Sequence, residues 1–294
     1  MKFSTIVYLE LYKIFRKPRT YIAFGAIAAI VGLIQLGFYA DGKSYMQFGL
    51  QSFTDSFDIN GNIMNGYLLA YIILQLMLVH VPLLISLVAG DMISGEAAQG
   101  TLRVLLTKPI SRAKLIAAKF SATAIYTMAI LIWMAVWALG ISMIGFGVDD
   151  MLILKSDLVT QIVKTDILWR YAAAFGFAAL AMTTVAALSF FLSLFAENSI
   201  GPIMATMSII IVFTILNTLD LPIFDNVKPF LFTSHMLGWK GFFDVQINEN
   251  NEQIVGSIEN LTAVMISAGI LLLHIIGFLI ASVVVFRKKA GMKK

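Results

Sequence analysis

The chain has 294 residues, of which 59% are hydrophobic and only 13% charged, and its mean hydropathy is +0.87. Soluble domains carry about twice that charge, so the composition excludes an ordinary water-soluble enzyme and defines a polytopic α-helical membrane protein. There is no cysteine, which removes disulfides and thiolate metal sites, and the net charge of +4 bears on membrane sidedness rather than on nucleic acid.

The first twenty residues lack a continuous apolar core and a small-residue cleavage site, so they do not form a cleavable signal peptide. Phe3, Ile6, Val7, Leu11, Ile14 and Phe15 fall on one side of a helical projection, which predicts an amphipathic helix within residues 1–19, lying along the membrane surface. Its basic end, Lys13, Arg16, Lys17 and Arg19, suits anionic headgroups, and Pro18 breaks it before the first span. Glu10 intrudes on the apolar side, where pairing with Lys13 is the local expectation.

Six uncharged runs follow in chain order: Thr20 to Ala40, Ile59 to Gly90 (apolar from about Gly66), Phe120 to Val148, Tyr171 to Ala196, Asn198 to Leu219 and Asn260 to Phe286. Each can hold the roughly 20 residues that cross a bilayer core. No alternating strand pattern marks a barrel, so helices are the spanning structures that satisfy their own backbone. The expected fold is therefore all-α, with a six-span domain over residues 20–286 and a basic tail at 287–294. No internal repeat divides it.

Charge sets the expected orientation. With the N-terminus inside, the inner segments hold fifteen of the 21 basic residues, and the outer loops hold thirteen of the 17 acids. Basic residues are retained on the cytoplasmic side, which places both termini in the cytoplasm. The outer loops are then Asp41 to Gly66, Asp149 to Trp169 and Asp220 to Glu259, and a short inner turn spans Ala196 to Ser199. The start of the last outer loop, LPIFDNVKPFLFTSHMLGW, predicts one or two short helices or a re-entrant element, and the rest of that loop is polar.

The long inner segment, 90–119, is too polar to cross lipid. Asp91 and Glu96 form an acidic helix end, Gly100-Thr101 a break, and Leu102, Val104, Leu105 and Leu106 an apolar turn, followed by Pro109, by Ser111 as a helix cap, and by a basic run into the third span. Thr101 is placed to cap a short helix over 102–107 that starts anywhere from Gln99 to Leu102. This order, Glu96, Gly100-Thr101-Leu102, Leu105-Leu106, Pro109, Ser111-Arg112 and Lys119, resembles the permeases of the ABC-2 family, the membrane subunits of type V ATP-binding-cassette transporters. The likeness covers most of the chain as topology and about thirty residues as motif.

That resemblance implies a permease, an exporter by family habit, in the cytoplasmic membrane of a prokaryote. It implies a second permease copy as partner, either the same chain or a related one, and a separate ATPase subunit that carries ATP and magnesium; this chain itself would bind no cofactor and would not be an enzyme. By the same resemblance the coupling helix docks on the ATPase through Leu102, Arg103, Leu105 and Leu106, with Glu96, Gly100, Thr101, Pro109 and Arg112 beside it, and Glu197 and Asn198 of the short turn make a second contact. Glu96 and Arg112 read equally as a helix-end ion pair. Consistent with ATP binding elsewhere, Gly95 to Gly100 has the glycine spacing of a phosphate loop, but Thr101-Leu102 stands where Lys-Ser/Thr is needed.

Polar residues inside the runs are candidates for lining a substrate path: Gln75 and His80 in the second, Asn217 in the fifth and His274 in the sixth. Interhelical hydrogen bonding is the commoner use of such groups. Trp133 and Trp137, one turn apart, read as packing or lipid contacts. A channel or a non-transporting scaffold or sensor is the alternative function. An intramembrane enzyme lacks HExxH, GxSxG and any carboxylate within the spans.

Overall fold

The computed structural model describes residues 2–54, 64–102, 107, 109–154, 159–219, 221–248 and 253–291, with backbone alone at 43–54, 154, 159 and 290–291. Helix α1 (Phe3–Phe15) leads through a bend at Arg16 and Lys17 into α2 (Pro18–Thr54). A bent pair, α3 (Gly66–Leu76) and α4 (His80–Ala89), is followed by α5 (Asp91–Ala98). Next comes α6 (Arg112–Ala135), continued by a π-helical turn at Val136–Ile141 and by α7 (Ser142–Phe146). After a two-stranded hairpin come α8 (Ile167–Ser193), α9 (Ile200–Thr218), a run of short helical turns that includes α10 (Phe232–Met236) and the 3₁₀ segment Leu237–Phe243, and finally α11 (Leu261–Gly291).

Among the described residues five helices are long and apolar enough to cross a membrane: Pro18–Gly42, Arg112–Phe146, Lys164–Ser193, Ile200–Thr218 and Leu261–Lys289. Lys164–Ser193 is the central one: 61% of its apolar window is buried in the protein, against 22% in the first, fourth and fifth. The uniformly apolar surface of the outer helices is what a lipid solvent requires.

The run expected as one second span is broken. α3 and α4 meet at 56° across residues 77–79. Pro82 has no amide to give to the Leu78 carbonyl, and its ring crowds that carbonyl, so the helix cannot continue straight through. His80 turns back to bond the Leu76 carbonyl at 3.0 Å, occupying an acceptor at the break.

Charged residues were expected to end the first run at Asp41, yet α2 continues through Gly42 to Thr54. A charge marks where hydrocarbon stops, whereas a helix ends only at a cap, a glycine or a proline; residues 55–63 of that expected loop lie outside the described residues. For the same reason α6 starts at Arg112, eight positions before the apolar run. Ser111 caps it as expected, its hydroxyl accepting from the Lys114 amide at 3.4 Å.

The fold is not purely helical. Met151–Leu154 and Val159–Ile162 pair antiparallel, Met151 opposite Ile162. Met151, Ile153 and Ile162 are buried, so this short ribbon packs as a lid on the helices. At the same end Asp166 and Arg170, both fully buried, form a charged knot. Arg170 holds Asp166 at 2.6 Å and donates to the carbonyls of Phe242 and Ser257 at 2.6 and 2.7 Å, while Trp169, Gln253 and the Gly256 amide donate to Asp166. Both carboxylate oxygens of Asp166 and all three guanidinium nitrogens of Arg170 have partners, which is the condition under which a buried ion pair is tolerated. The knot pins the long loop 220–259 over α8. As expected, that loop begins with short helical turns, at Pro222–Phe224, Lys228–Phe230, α10 and Leu237–Phe243.

Gly66 is where α3 meets the π-helical turn and α7. A Cβ there would stand 2.6 Å from the Met143 backbone, and backbone has nowhere to go. Gly66→Ala is expected to cost about 1–3 kcal/mol of overpacking, read as a lower thermal midpoint in detergent, whereas Gly176→Ala, with nothing within 4 Å, should leave the midpoint unchanged or slightly higher.

Candidate functional site: a buried charge cluster at one end of the bundle

The apolar side of α1 does not face only lipid. Its buried stripe is Ile6, Glu10 and Ile14, one turn apart each, packed on α6, whereas Phe3 is 42% exposed. A carboxylate in the middle of that stripe demands a cation, and Lys119 of α6, 1% exposed, supplies it at 2.9 Å. Lys119 also reaches Glu96 at 2.9 Å and the Met92 carbonyl at 3.3 Å. Lys13 closes the ring, 2.8 Å from Glu10 and 2.8 Å from Glu96. Two carboxylates and two ammonium groups thus alternate around a four-membered ring drawn from α1, α5 and α6.

A second knot lies on the same short helix. Asp91 is buried at the start of α5, where negative charge meets the positive end of the helix. The α1–α2 bend delivers Lys17 at 2.5 Å and Arg19 at 2.8 Å to it, and Ser199 of the turn between α8 and α9 donates a further short hydrogen bond. Gly95 makes the space, since a Cβ there would collide with the Asp91 carboxylate. Gly100 then ends α5 in the left-handed conformation, φ +71°, a geometry that disfavours any side chain.

Thr101 acts on the preceding helix rather than as an N-cap: its hydroxyl donates to the Glu96 carbonyl at 3.3 Å. Thr101 and Leu102 are again helical, and Leu102 is half-buried. Arg103, Leu105 and Leu106 lie outside the described residues. Pro109 is exposed and Arg112 opens α6 half-buried. Glu96 takes Lys13 and Lys119 as its ion partners. In the turn after α8, Glu197 and Asn198 are exposed, and Asn198 accepts from the Gly201 amide at 3.0 Å to cap α9.

The expected path residues are not gathered in one place. His274 bonds its own helix at the Ile270 carbonyl, 2.9 Å, and packs against Phe232 and Phe278. Asn217 accepts from Ser234 at 2.9 Å. Gln75 accepts from Lys240 at 3.2 Å, and His80 lies on the exposed side of the break. Trp133 is tied to α2 through the Phe24 carbonyl, 3.0 Å, and touches Trp137. Among the described residues no three His, Asp or Glu side chains gather as a metal would require.

Sequence reasoning found the Glu10–Lys13 pair and missed Lys119, Lys17, Arg19, Asp91 and Ser199 as one assembly. A signal existed: Glu10 on an apolar helix face and Lys119 at the mouth of an apolar run are opposite charges that both need burial with a partner. The fold and this site define a predominantly helical, polytopic membrane protein whose charged machinery is concentrated at one end of an apolar bundle. The chain belongs to the DUF2705 family, described as a protein of unknown function, whose pattern matches residues 27–290. No curated protein matches the sequence.

Burial pushes the Glu96 carboxyl up, but the charge of Lys119 and the hydrogen bonds from Lys13 and Lys119 outweigh it and hold it below its ordinary 4.5. A folded value below the unfolded one means that the stabilisation is complete above pH 4.5 and is lost as pH falls through the folded value. Thermal midpoints of the solubilised protein should therefore drop below pH 4.5, and Glu96→Gln should flatten that drop. Lys119→Met leaves Glu10 and Glu96 to share Lys13 alone; up to about 3–5 kcal/mol of destabilisation is expected, partly recovered in Lys119→Met/Glu10→Met, with the difference read from a double-mutant cycle.

Proposed function

We propose that this chain is the membrane-spanning permease subunit of an ATP-binding-cassette exporter of the ABC-2 type, driven by a separate ATPase. The observation that carries the reading is the charge cluster. It ties α5, the arm that leads into residues 102–107, to α1, to the foot of α6 and to the turn between α8 and α9. A push on that arm reaches these three elements through charge-assisted contacts rather than through a mobile loop, as a rigid-body switch requires.

Three further features support it. The bent pair α3–α4 runs from Asn65, bonded to Asp150 beside the hairpin, to Asp91 in the cluster, so it serves as a sixth crossing. The last helix returns to the same end, where Lys289 donates to the Leu194 carbonyl at 2.6 Å, as an even number of crossings demands. The basic excess of that end then makes it the cytoplasmic one, with both termini inside. The stretch from Ala98 to Thr101, Thr107 and Pro109 are exposed; in this reading an ATPase cleft receives Leu102, Arg103, Leu105 and Leu106, with Glu197 and Asn198 as the second contact. Two copies, or one copy and a related permease, enclose the substrate path between them.

The test is co-purification with candidate ATPases. Leu105→Glu/Leu106→Glu should abolish association, and the thermal midpoint of the permease, measured alongside, separates lost docking from lost folding. Association that survives this change removes the docking assignment, and a chain that conducts or signals with no ATPase bound favours the channel or sensor reading.

A further inference from the structure

A small recess, a cavity of about 40 Å³, lies against the break between α3 and α4. Met77 and Leu78 of the break, Met134 of α6, Met182 of α8, and Met236 and Trp239 of the loop after α9 line it. Its wall is almost wholly apolar, and four of its thirteen lining side chains are methionines, which adapt to irregular apolar shapes. Met77, Met134, Met182, Met236 and Trp239 are buried. Leu78 is half-exposed, as are Phe175 and Ala178, which also line the recess, so these three mark its mouth.

Depth identifies the solvent at that mouth. Ala178 stands midway along the candidate span Lys164–Ser193, and Met134 lies close to the middle of Arg112–Phe146. Mid-span residues that are not packed against protein face hydrocarbon, so the recess opens into lipid tails and not into water.

A polar pair stands beside the recess, on the residues that follow its lining residues Leu74 and Trp239 in the chain. Next to the lining residue Trp239, Lys240 extends to Gln75 on α3, 3.2 Å from its carbonyl oxygen. Gln75 stands three residues, about 4.5 Å along the axis, before Leu78 at the mouth. No carboxylate among the described residues pairs with Lys240. A cation whose partner is a neutral amide, at the edge of an apolar recess, is half of a charge-assisted contact.

We infer that the recess is a binding site for a single-chain anionic amphiphile, with the end of its hydrocarbon chain between Met77, Met134 and Met182 and its acidic group against Lys240. A cavity of about 40 Å³ takes in only the chain end; the rest of the chain extends past Leu78, Phe175 and Ala178 towards the lipid. A polar or cationic ligand finds no partner among these walls, and a neutral one leaves Lys240 with Gln75 alone. Because Met77 and Leu78 belong to the break itself, the occupant sits on the joint between α3 and α4. The inference rests on the membrane setting and is independent of the ATPase coupling.

The experiment uses the full chain in nanodiscs of zwitterionic lipid, with two probes: palmitic acid carrying a photoreactive diazirine at its methyl end, and the methyl ester of the same molecule. Irradiation should label the peptides that carry Met77, Met134 and Met182, and the acid should label about tenfold more than the ester, as one charged hydrogen bond implies. Ala178→Phe puts a ring in the mouth and should remove the labelling. Lys240→Gln, at a half-exposed position, should lower labelling by the acid about tenfold, to the level of the ester, and leave the ester unchanged. Label spread evenly over lipid-facing helices such as α11, label unaffected by Ala178→Phe in a protein of unchanged thermal midpoint, or equal labelling by acid and ester would each overturn the assignment. Should Ala178→Phe fail to fold, the comparison of acid with ester in Lys240→Gln decides it.

Discussion

The structure depends on the pairing of charges that an apolar bundle cannot leave alone. Lys119 lies within a helix that is otherwise fit for lipid, and it is tolerable there only because Glu10 and Glu96 come to it from two other elements. The penalty for an unpaired buried charge exceeds the attraction of any single pair, so the arrangement is closed by Lys13 on one side and repeated around Asp91 on the other. Removing any of these elements exposes the others to that penalty. That is why α1, which has no span of its own, is a structural part of the bundle.

The opposite end follows the same rule with different residues. Asp166 and Arg170 sit at the start of the most buried helix, and their remaining hydrogen-bonding capacity is met by Trp169, Gln253, Gly256 and the carbonyls of Phe242 and Ser257. Two satisfied charge knots therefore hold α8, one at each end: the Asp166–Arg170 knot directly, and the Asp91 knot through Ser199. Between them the packing is apolar and interrupted at two places, the break before Pro82 and the π-helical turn at Val136–Ile141. Gln35 donates to the Trp137 carbonyl and to Ser142 at that turn, which gives a polar residue in the first span a local task in helix geometry.

Function, on this view, is concentrated where rigid and deformable parts meet. The charge cluster gives the arm α5 a stiff connection to the bundle, while the break beside the methionine recess gives the same stretch of chain a joint. Under the proposed coupling, an arm that is fixed at its base and jointed one helix away would convert displacement at its far end into a change of angle between α3 and α4. The rigid contacts are charge-assisted and short, and the joint is lined by side chains that repack with little cost.

Much of this was legible in the residues. Uncharged runs located every helix that can cross a membrane, Ser111 announced the cap of α6, Gly100 the end of α5, and the aromatic, proline-bearing start of the last long loop its short helical turns. These are local properties, set by backbone chemistry and by the cost of charge in hydrocarbon, and a single sequence carries them. The ends of α2 and α6 were less legible, because charge marks the edge of the hydrocarbon and not the end of a helix. The hairpin 151–162 was missed for want of length: two strands of four residues leave too short a pattern to separate from a loop. What only the tertiary structure decided is which charges meet. Glu10 and Lys119 are 109 positions apart, Asp91 and Ser199 are 108, and Gln75 and Lys240 are 165. The sequence by itself determined that each buried charge must have a partner; only the packing of helices decided who it is, because burial makes partnership obligatory without making it specific.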